Sequence, residues 1–344
     1  MVTKTDYDVS QVDAARSVML ELVHLLGEYR DDIVVVGGWV PALLIPQDKA
    51  QHIGSMDVDL ALNHKTLRDP GYKSIRNLLL GRGYRQDNNQ PFIFWRTVTV
   101  GRRSIEIEID LLAGEYEGTA KKHRTQEIQD VRARKARGCE LAFRFATEVS
   151  LEGTLPDGAR DKATVRIAAI IPFLAMKGMA MASRLKEKDP WDVYYCVKNY
   201  PGGAEALSVE FIPHIGHSLI KEGLRYIAEK FASPDHVGPK SVADFEELTD
   251  LEERAVLQRE RRDRAQQLGE RALAPQRGDA RLFEGGNVRG AQDRVAGRGV
   301  QSRQARGALL QDLQLGVVHD HPSWGAGHMP GESSARPARQ RENS

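Results

Sequence analysis

Apolar positions recur at three- and four-residue spacing across residues 11–29 (Val12, Ala15, Val18, Met19, Leu22, Leu25, Leu26), which predicts an amphipathic helix ending near Gly27. IVVV at 33–36 is a continuous apolar run stopped by Gly37 and Gly38, the pattern of a buried strand entering a tight turn. WVPALLI then predicts a short helix, with Pro41 tolerated in its first turn. Period-2 alternation marks MDVDLAL (56–62), FIFWRTVTV (92–100) and SIEIEIDLLA (104–113) as strands, and a helix is expected around 71–82. Residues 114–137 read as a polar loop, whereas ELAF at 140–143, TEVSLEGTL and ATVRIAA predict further strands with a turn at Pro156-Asp157-Gly158. AIIPFLAMKGMAMASRLKEK (169–188) is a strong helical pattern, DPWDVYYCV opens another helix, and two more follow at 214–232 and 241–270.

Strands and helices mixed in this order place the chain in the α+β class: a mixed sheet flanked by helices, then a helical C-terminal region. The expected division is 1–150, a domain built on the sheet; 151–269, a strand hairpin with helices; and 270–344, a tail. After Lys240 no lysine, isoleucine or tyrosine remains, while text such as GGNVRGAQDRVAGRGVQSRQARG accumulates arginine, glycine, glutamine and alanine. So little apolar surface cannot offset an ordering cost of ~1–2 kcal/mol per residue, and the tail is expected to be disordered. The abrupt shift suits a tail translated out of the ancestral reading frame, in which case its removal leaves stability and activity unchanged.

Charge adds little globally: 49 Lys and Arg face 48 Asp and Glu among 344 residues, so an argument for a nucleic-acid partner has to come from local clusters. One such cluster is Lys121, Lys122, His123, Arg124, Arg132, Arg134, Lys135 and Arg137, suited either to a solvated loop or to steering RNA or a triphosphate. Two cysteines, Cys139 and Cys196, make neither a disulfide framework nor a zinc spacing. No apolar run reaches the ~18 residues of a membrane span and the N-terminus lacks a signal-peptide core, so a cytoplasmic protein without a membrane partner is expected.

The chemistry concentrates in the second strand. Residues i and i+2 of a strand share a face, so Asp57 and Asp59 present two carboxylates side by side. Like charges that close are unfavourable without a cation between them, and magnesium, with its preference for hard oxygen ligands, is the natural candidate. SIEIEIDLLA places Glu106, Glu108 and Asp110 on one face by the same logic, and Asp110 supplies the third carboxylate that a two-ion site needs. A solvated strand face is the plain alternative for all of them. The Gly37-Gly38 turn lets backbone approach a ligand closely, at a helix N-terminus suited to anions.

An apolar strand, Gly-Gly, a spacer over 39–56, Asp-x-Asp and a third acidic strand together resemble the polymerase-β-type nucleotidyltransferase superfamily. The spacer is somewhat longer than is common there. The segment IIPFLAMKGMAMASRLKEKDPWDVYYCV (170–197) resembles the AbiEii/AbiGii-type toxins, in which a helical lysine precedes a basic stretch, an aspartate and a second aspartate. The resemblance spans roughly residues 30–200. It implies catalysis by Asp57, Asp59, Asp110 and Lys177; two Mg2+ ions on the three aspartates; and a nucleoside triphosphate bound by Gly37, Gly38, Ser55, Lys177 and Asp192. It further implies an acceptor hydroxyl on tRNA or another RNA, and a toxin partnered by a cognate antitoxin protein.

Other readings stay open. GGW resembles the opening of aminoglycoside nucleotidyltransferases, which keeps a small hydroxyl acceptor in play, and a non-catalytic nucleotide- or RNA-binding descendant is a third. Along one side of a continuous 169–188 helix, Lys177 shares a stripe with Arg184 and Lys188, and either meets an anion or reaches to solvent. Asp189 before Pro190 also reads as an N-cap with proline at the first helical position. His52 and Ser55 flank the acidic strand within reach of phosphate, although a loop histidine is most simply solvated. Trp39, Trp95 and Trp191 read as core or pocket wall.

Overall fold

The alternation of apolar residues along β1 serves two cores at once, and this two-sidedness organises the chain. The computed structural model describes residues 2–45, 51–67, 73–115 and 125–274. In chain order the elements are α1 (Val9–Leu25), β1 (Ile33–Val36), a 3-10 turn over Gly37–Trp39, α2 (Val40–Leu44), β2 (Asp57–Leu62), α3 (Ile75–Gly81), β3 (Arg85–Gln86), β4 (Ile93–Val100) and β5 (Arg103–Ala113). There follow β6 (Thr125–Ile128), β7 (Val131–Lys135), α4 (Cys139–Arg144), β8 (Ala146–Thr154), β9 (Arg160–Ala168), α5 (Ile170–Ser183) and α6 (Lys188–Asn199). α7 (Gly203–Phe211), α8 (Ser218–Lys230), α9 (Val237–Phe245) and α10 (Leu251–Leu273) complete it.

The strands form one nine-stranded mixed sheet in the order β3-β4-β5-β2-β1-β9-β8, with β7 joining β5 and β6 joining β7. β1 runs antiparallel to β2, whereas β2 and β5 are parallel neighbours in the register Asp57 to Glu108 and Asp59 to Asp110. Ile33, Val35, Val58, Leu60, Ile107 and Ile109 point to one core, closed by α1 and α3. Val34, Val36, Ala61, Leu112 and Ala168 point to the other, closed by α4 to α10. Asp57, Asp59, Glu108 and Asp110 share this second, helix-covered face, and Asp110 is only 6% exposed. The alternative of a solvated strand face is therefore ruled out for Asp110.

The mixed sheet with flanking helices matches the expected class, and the expected boundary at residue 150 falls inside β8. The described residues, 2–274, belong to one compact unit. Nearly all of the expected tail lies outside the described residues, but its start moves: α10 runs to Leu273 and buries Ala272. Among the described residues no helix is long and apolar enough to cross a membrane.

Three local expectations are corrected. The polar text before Gly138 contains the β6–β7 hairpin, whose inward positions Gln126, Ile128, Val131 and Ala133 are buried while charged residues occupy the alternate ones. ELAF belongs to α4, not to a strand; four residues are too few to fix a period, and here they pack as a helix into the second core. The 169–188 helix breaks at Ser183, where Arg184 turns extended (φ −144°, ψ 162°), so Lys188 starts a new helix and does not share a stripe with Lys177. α7 was not expected at all.

α5 is fixed against α8 by glycine. A Cβ on Gly178 would fall 2.1 Å from the Gly223 carbonyl oxygen, and one on Gly223 would fall 2.5 Å from Cα of Ala175. Both contacts are backbone, so neither neighbour can rotate away. Gly178→Ala is expected to destabilise the fold by ~1–3 kcal/mol, the usual cost of overpacking, read as a lower urea midpoint at unchanged slope.

Candidate functional site

The Gly37-Gly38 turn sits where β1 ends, directly beside the carboxylates of β2. Gly37 adopts φ +72°, and a Cβ there would lie 1.8 Å from Oδ2 of Asp59. The carboxyl of Asp59 therefore rests against the turn, and no side chain fits between them. A Cβ on Gly38 would meet Ser55 Oγ at 2.5 Å and Lys188 Nζ at 2.9 Å, so two polar groups converge on that glycine from the other side. Ser55 donates its hydroxyl to Asp57 Oδ1, and Trp39 donates its indole N–H to the Asp57 carbonyl at 2.8 Å. These contacts hold the start of β2 against the turn.

A cleft of about 220 Å³ opens at this point, lined by Gly37, Gly38, Ser55, Asp57 and Asp59 on the sheet side and by Phe173, Met176, Lys177 and Met179 on the α5 side. Arg134, Lys135, Arg137, Arg184, Lys186 and Lys188 add positive charge around it. One wall is anionic, one is apolar and the rim is cationic.

The carboxylates repel one another. Burial first, then Asp57 and Asp110, push the Asp59 carboxyl up to about 8. Burial also raises Asp110, against the opposing pull of Arg134, and raises Glu108, with Asp57 and Asp110 adding to it. Arg134 reaches Asp110 because β7 pairs with β5 in the register Arg134 to Leu112. Its Nε and Nη2 both donate to Oδ2 of Asp110, the Nε at 3.1 Å, while Oδ1 has only a 3.5 Å contact. Glu106, on the same strand face, pairs instead with Arg85 at the exposed end.

Behind the cleft lies a second charged layer. Lys177 is 8% exposed, with Nζ 2.6 Å from Asp189 Oδ1 and 2.7 Å from Asp192 Oδ2. Arg184 donates to both oxygens of Asp189 at 2.8 and 3.2 Å, and Lys188 to both oxygens of Asp192 at 2.9 and 3.2 Å. Burial alone pulls the Lys177 ammonium down, but Asp189 and Asp192 more than offset it and hold it above the usual lysine value. Lys188 ends lower than usual, through burial and the neighbouring Lys177 charge, despite Asp192. Burial likewise works against the Asp192 carboxylate, yet Lys177 and Lys188 hold it below the usual range.

The expected site residues thus separate into two groups. Gly37, Gly38, Ser55, Asp57, Asp59 and Lys177 line one cleft, with Asp110 beside Asp59 in the next strand. Asp192, expected at the nucleotide, is fully enclosed and serves as the anchor of two lysines. Asp189 sits inside α6 rather than at its N-cap, which is Glu187, because its carboxylate is drawn to Lys177 and Arg184. Trp39 and Trp191 are buried core residues, and Trp95 is half-buried with its N–H on Asp87 at 3.1 Å. Lys121, Lys122, His123 and Arg124 lie outside the described residues.

Two further residues belong to the site: His52, which the sequence placed near phosphate or in solvent, and Tyr7, which it did not single out. His52 is buried, accepts the Gly54 N–H on Nδ1 at 3.1 Å and sets Nε2 3.0 Å from Asp192 Oδ1. The backbone donor fixes Nδ1 as the acceptor, so Nε2 carries the proton to Asp192. Burial holds this imidazole down at about 4, which keeps it neutral. Tyr7, just ahead of α1, places its ring 5.7 Å from the Lys188 ammonium.

The donor chemistry fits a hard divalent cation: oxygen-only ligands, mutual repulsion that a cation would relieve, and an Asp110 Oδ1 left largely uncommitted. Among the described residues no group of three or more His, Cys, Asp or Glu is arranged to hold a metal, and Arg134 engages Asp110. No family model, curated protein or solved structure matches the chain.

The raised Asp59 carboxyl has a definite consequence for stability. In the unfolded chain it ionises above pH ~4 and in the fold only near 8, so the native state binds the extra proton and stability falls as pH rises across that window. Asp59→Asn abolishes this loss. In chelator at pH 8 the variant is expected to melt at least about 3 °C above the wild type, with the gap closing towards pH 4, measured by calorimetry.

Proposed function

We propose that the chain is a magnesium-dependent nucleotidyltransferase that moves a nucleoside monophosphate from a triphosphate to an acceptor hydroxyl. The observation that carries this reading is the juxtaposition of Asp57 and Asp59 with the Gly37-Gly38 turn and a cationic rim in one cleft, with Asp110 beside Asp59 in the parallel neighbouring strand. Oxygen ligands on one side and positive charge on the other divide the labour that polyphosphate chemistry requires.

Asp57, Asp59 and Asp110 would hold the magnesium, which supplies charge neutralisation at the α-phosphate and at the leaving oxygens when bound. The rest is work for the chain. The Gly37-Gly38 backbone and the Lys188 ammonium receive the β- and γ-phosphates, and Arg184 and Lys186 at the rim offset the charge of the departing pyrophosphate. Phe173, Met176 and Met179 offer an apolar wall to the base. The acceptor oxygen attacks the α-phosphorus in line, the bond to the β-phosphate oxygen breaks, and the acceptor proton passes to the Asp110 carboxylate or to solvent. Lys177, bound to two aspartates, acts by holding the α5–α6 junction and by its field, not as a free phosphate ligand.

RNA is the favoured acceptor. Lys135 and Lys186 line the cleft and Arg132 is exposed on the same strand as Lys135, all three without an ion pair among the described residues, and an RNA end brings further phosphates to meet them. The resemblance to AbiEii-type toxins extends the proposal to growth arrest relieved by a cognate antitoxin.

Transfer from α-labelled triphosphates to total bacterial RNA, with magnesium, tests the reading. Asp57→Ala and Asp59→Ala are each expected to lower the rate by ~10³-fold or more, since several kcal/mol of metal stabilisation depends on them. Arg132→Glu with Lys135→Glu should weaken labelling of RNA and leave transfer to a small hydroxyl compound unchanged. Label entering only a small compound would move the assignment to that acceptor class, and no transfer to either overturns the reading.

A further inference from the structure

The resemblance singles out Lys177 as the phosphate lysine, yet the geometry gives that place to Lys188. Lys177 spends its donors on Asp189 and Asp192, whereas Lys188 Nζ would lie 2.9 Å from a Cβ on Gly38 and so faces the turn directly. A buried lysine on a four-carbon stem has many rotamers, and holding it at one point requires contacts on several sides. The structure supplies three. Asp192 accepts from it at 2.9 and 3.2 Å. The Tyr7 ring lies 5.7 Å from Nζ on another side. His52, between the rings of Trp191 (4.8 Å) and Tyr195 (4.7 Å), donates to Asp192 Oδ1 and fixes the carboxylate that Lys188 uses.

Each restraint is itself anchored. Tyr7 follows the 3-10 turn Lys4–Asp6, accepts edge contact from Phe245 of α9 at 5.8 Å, and precedes Asp8, whose carboxylate caps α1. His52 belongs to the stretch that leads into β2, three residues before the Ser55 that binds Asp57. The N-terminal segment, the approach to β2 and α6 therefore meet at one ammonium. A ring face beside a partly desolvated ammonium contributes a favourable, orientation-dependent attraction without neutralising the charge. That is the property needed in a group that must bind an arriving anion.

We propose that Tyr7 and His52 are positioning residues for nucleotidyl transfer, acting through Lys188: together they hold its ammonium at the Gly37-Gly38 turn, where it receives the polyphosphate of the nucleotide. This rests on the nucleotidyltransferase reading above. It also makes Tyr7 part of the site, far in sequence from every motif that defines it.

The test uses the full chain, with magnesium tripolyphosphate as a base-independent ligand in titration calorimetry and steady-state KM and kcat for the triphosphate that the wild type uses. Tyr7→Phe keeps the ring face and is expected to bind within about twofold of wild type, while Tyr7→Leu weakens tripolyphosphate binding and raises KM by roughly three- to tenfold at little change in kcat. His52→Gln, which retains an N–H for Asp192, should resemble Tyr7→Phe. Because Tyr7 acts through the lysine, Tyr7→Leu combined with Lys188→Ala should be no weaker than Lys188→Ala alone. Tyr7 is half-buried, so its variants test the idea even where a buried His52 variant fails to fold. Unchanged KM in Tyr7→Leu, or full additivity with Lys188→Ala, overturns the positioning role and leaves the enzyme assignment standing. A wild type that binds neither tripolyphosphate nor any triphosphate overturns both.

Discussion

Carboxylate repulsion on one covered face of the sheet is the constraint from which the rest of the site follows. Asp57, Asp59, Glu108 and Asp110 are brought together by the β2–β5 register, and nothing on those two strands relieves them. Relief comes from outside: Arg134 from β7, Lys186 and Arg184 from the α5–α6 connection, and the bare backbone of Gly37, which leaves room for the Asp59 carboxyl. Behind them Lys177 and Lys188 are buried and need anions of their own, which α6 supplies as Asp189 and Asp192. The site is thus a stack of alternating charge, anions on the strands, cations along the cleft, anions on α6, with His52 completing the last layer. Removing one partner of such a buried set leaves an uncompensated charge and costs ~3–5 kcal/mol, so the layers are mutually obligatory.

The stack also explains why the sheet is covered on both sides. Polar residues at alternate positions ordinarily mark a strand face open to water. Here the same alternation divides an apolar core under α1 from a second core in which Ala61, Leu112 and Ala168 surround the acidic patch. The acidic residues sit on rigid strands, Arg134 faces them from another strand, and Lys177 lies on α5, which backbone contact at Gly178 and Gly223 fixes against α8. Side chains placed on such elements keep their geometry far better than side chains on loops.

Sequence pattern revealed the anionic layer and concealed most of the cationic one, for a physical reason. β1, β2 and β5 carry strong apolar periods, so Asp57, Asp59 and Asp110 stand out against them. Arg134 was hidden because β6 and β7 are short strands whose outward positions are almost all charged, leaving only Ile128, Val131 and Ala133 as apolar markers. Lys188 was placed on the wrong helix because the charged run after Met181 continues the period of α5 by chance, while the break at Arg184 depends on tertiary pull from Asp189. Tyr7 and His52 act as single residues from segments with no period at all, and only the folded chain puts them beside α6.

The two lysines of the inner layer are held in opposite ways, and the difference bears on what each can do. Lys177 is bound by two carboxylates that raise it above the usual value, so its charge is already satisfied and an arriving phosphate would have to compete with Asp189 and Asp192 for it. Lys188 has one carboxylate partner, stands beside the Lys177 charge and is held below the usual value. An anion at the Gly37-Gly38 turn would reverse that imbalance, stabilising the ammonium where burial now opposes it. Binding energy is gained most where a charge is poised but under-compensated. The same logic applies to the carboxylates of the sheet, which outnumber the cations that reach them as Lys188 outmatches its single carboxylate partner, and a magnesium-bound polyphosphate carries charge of both signs.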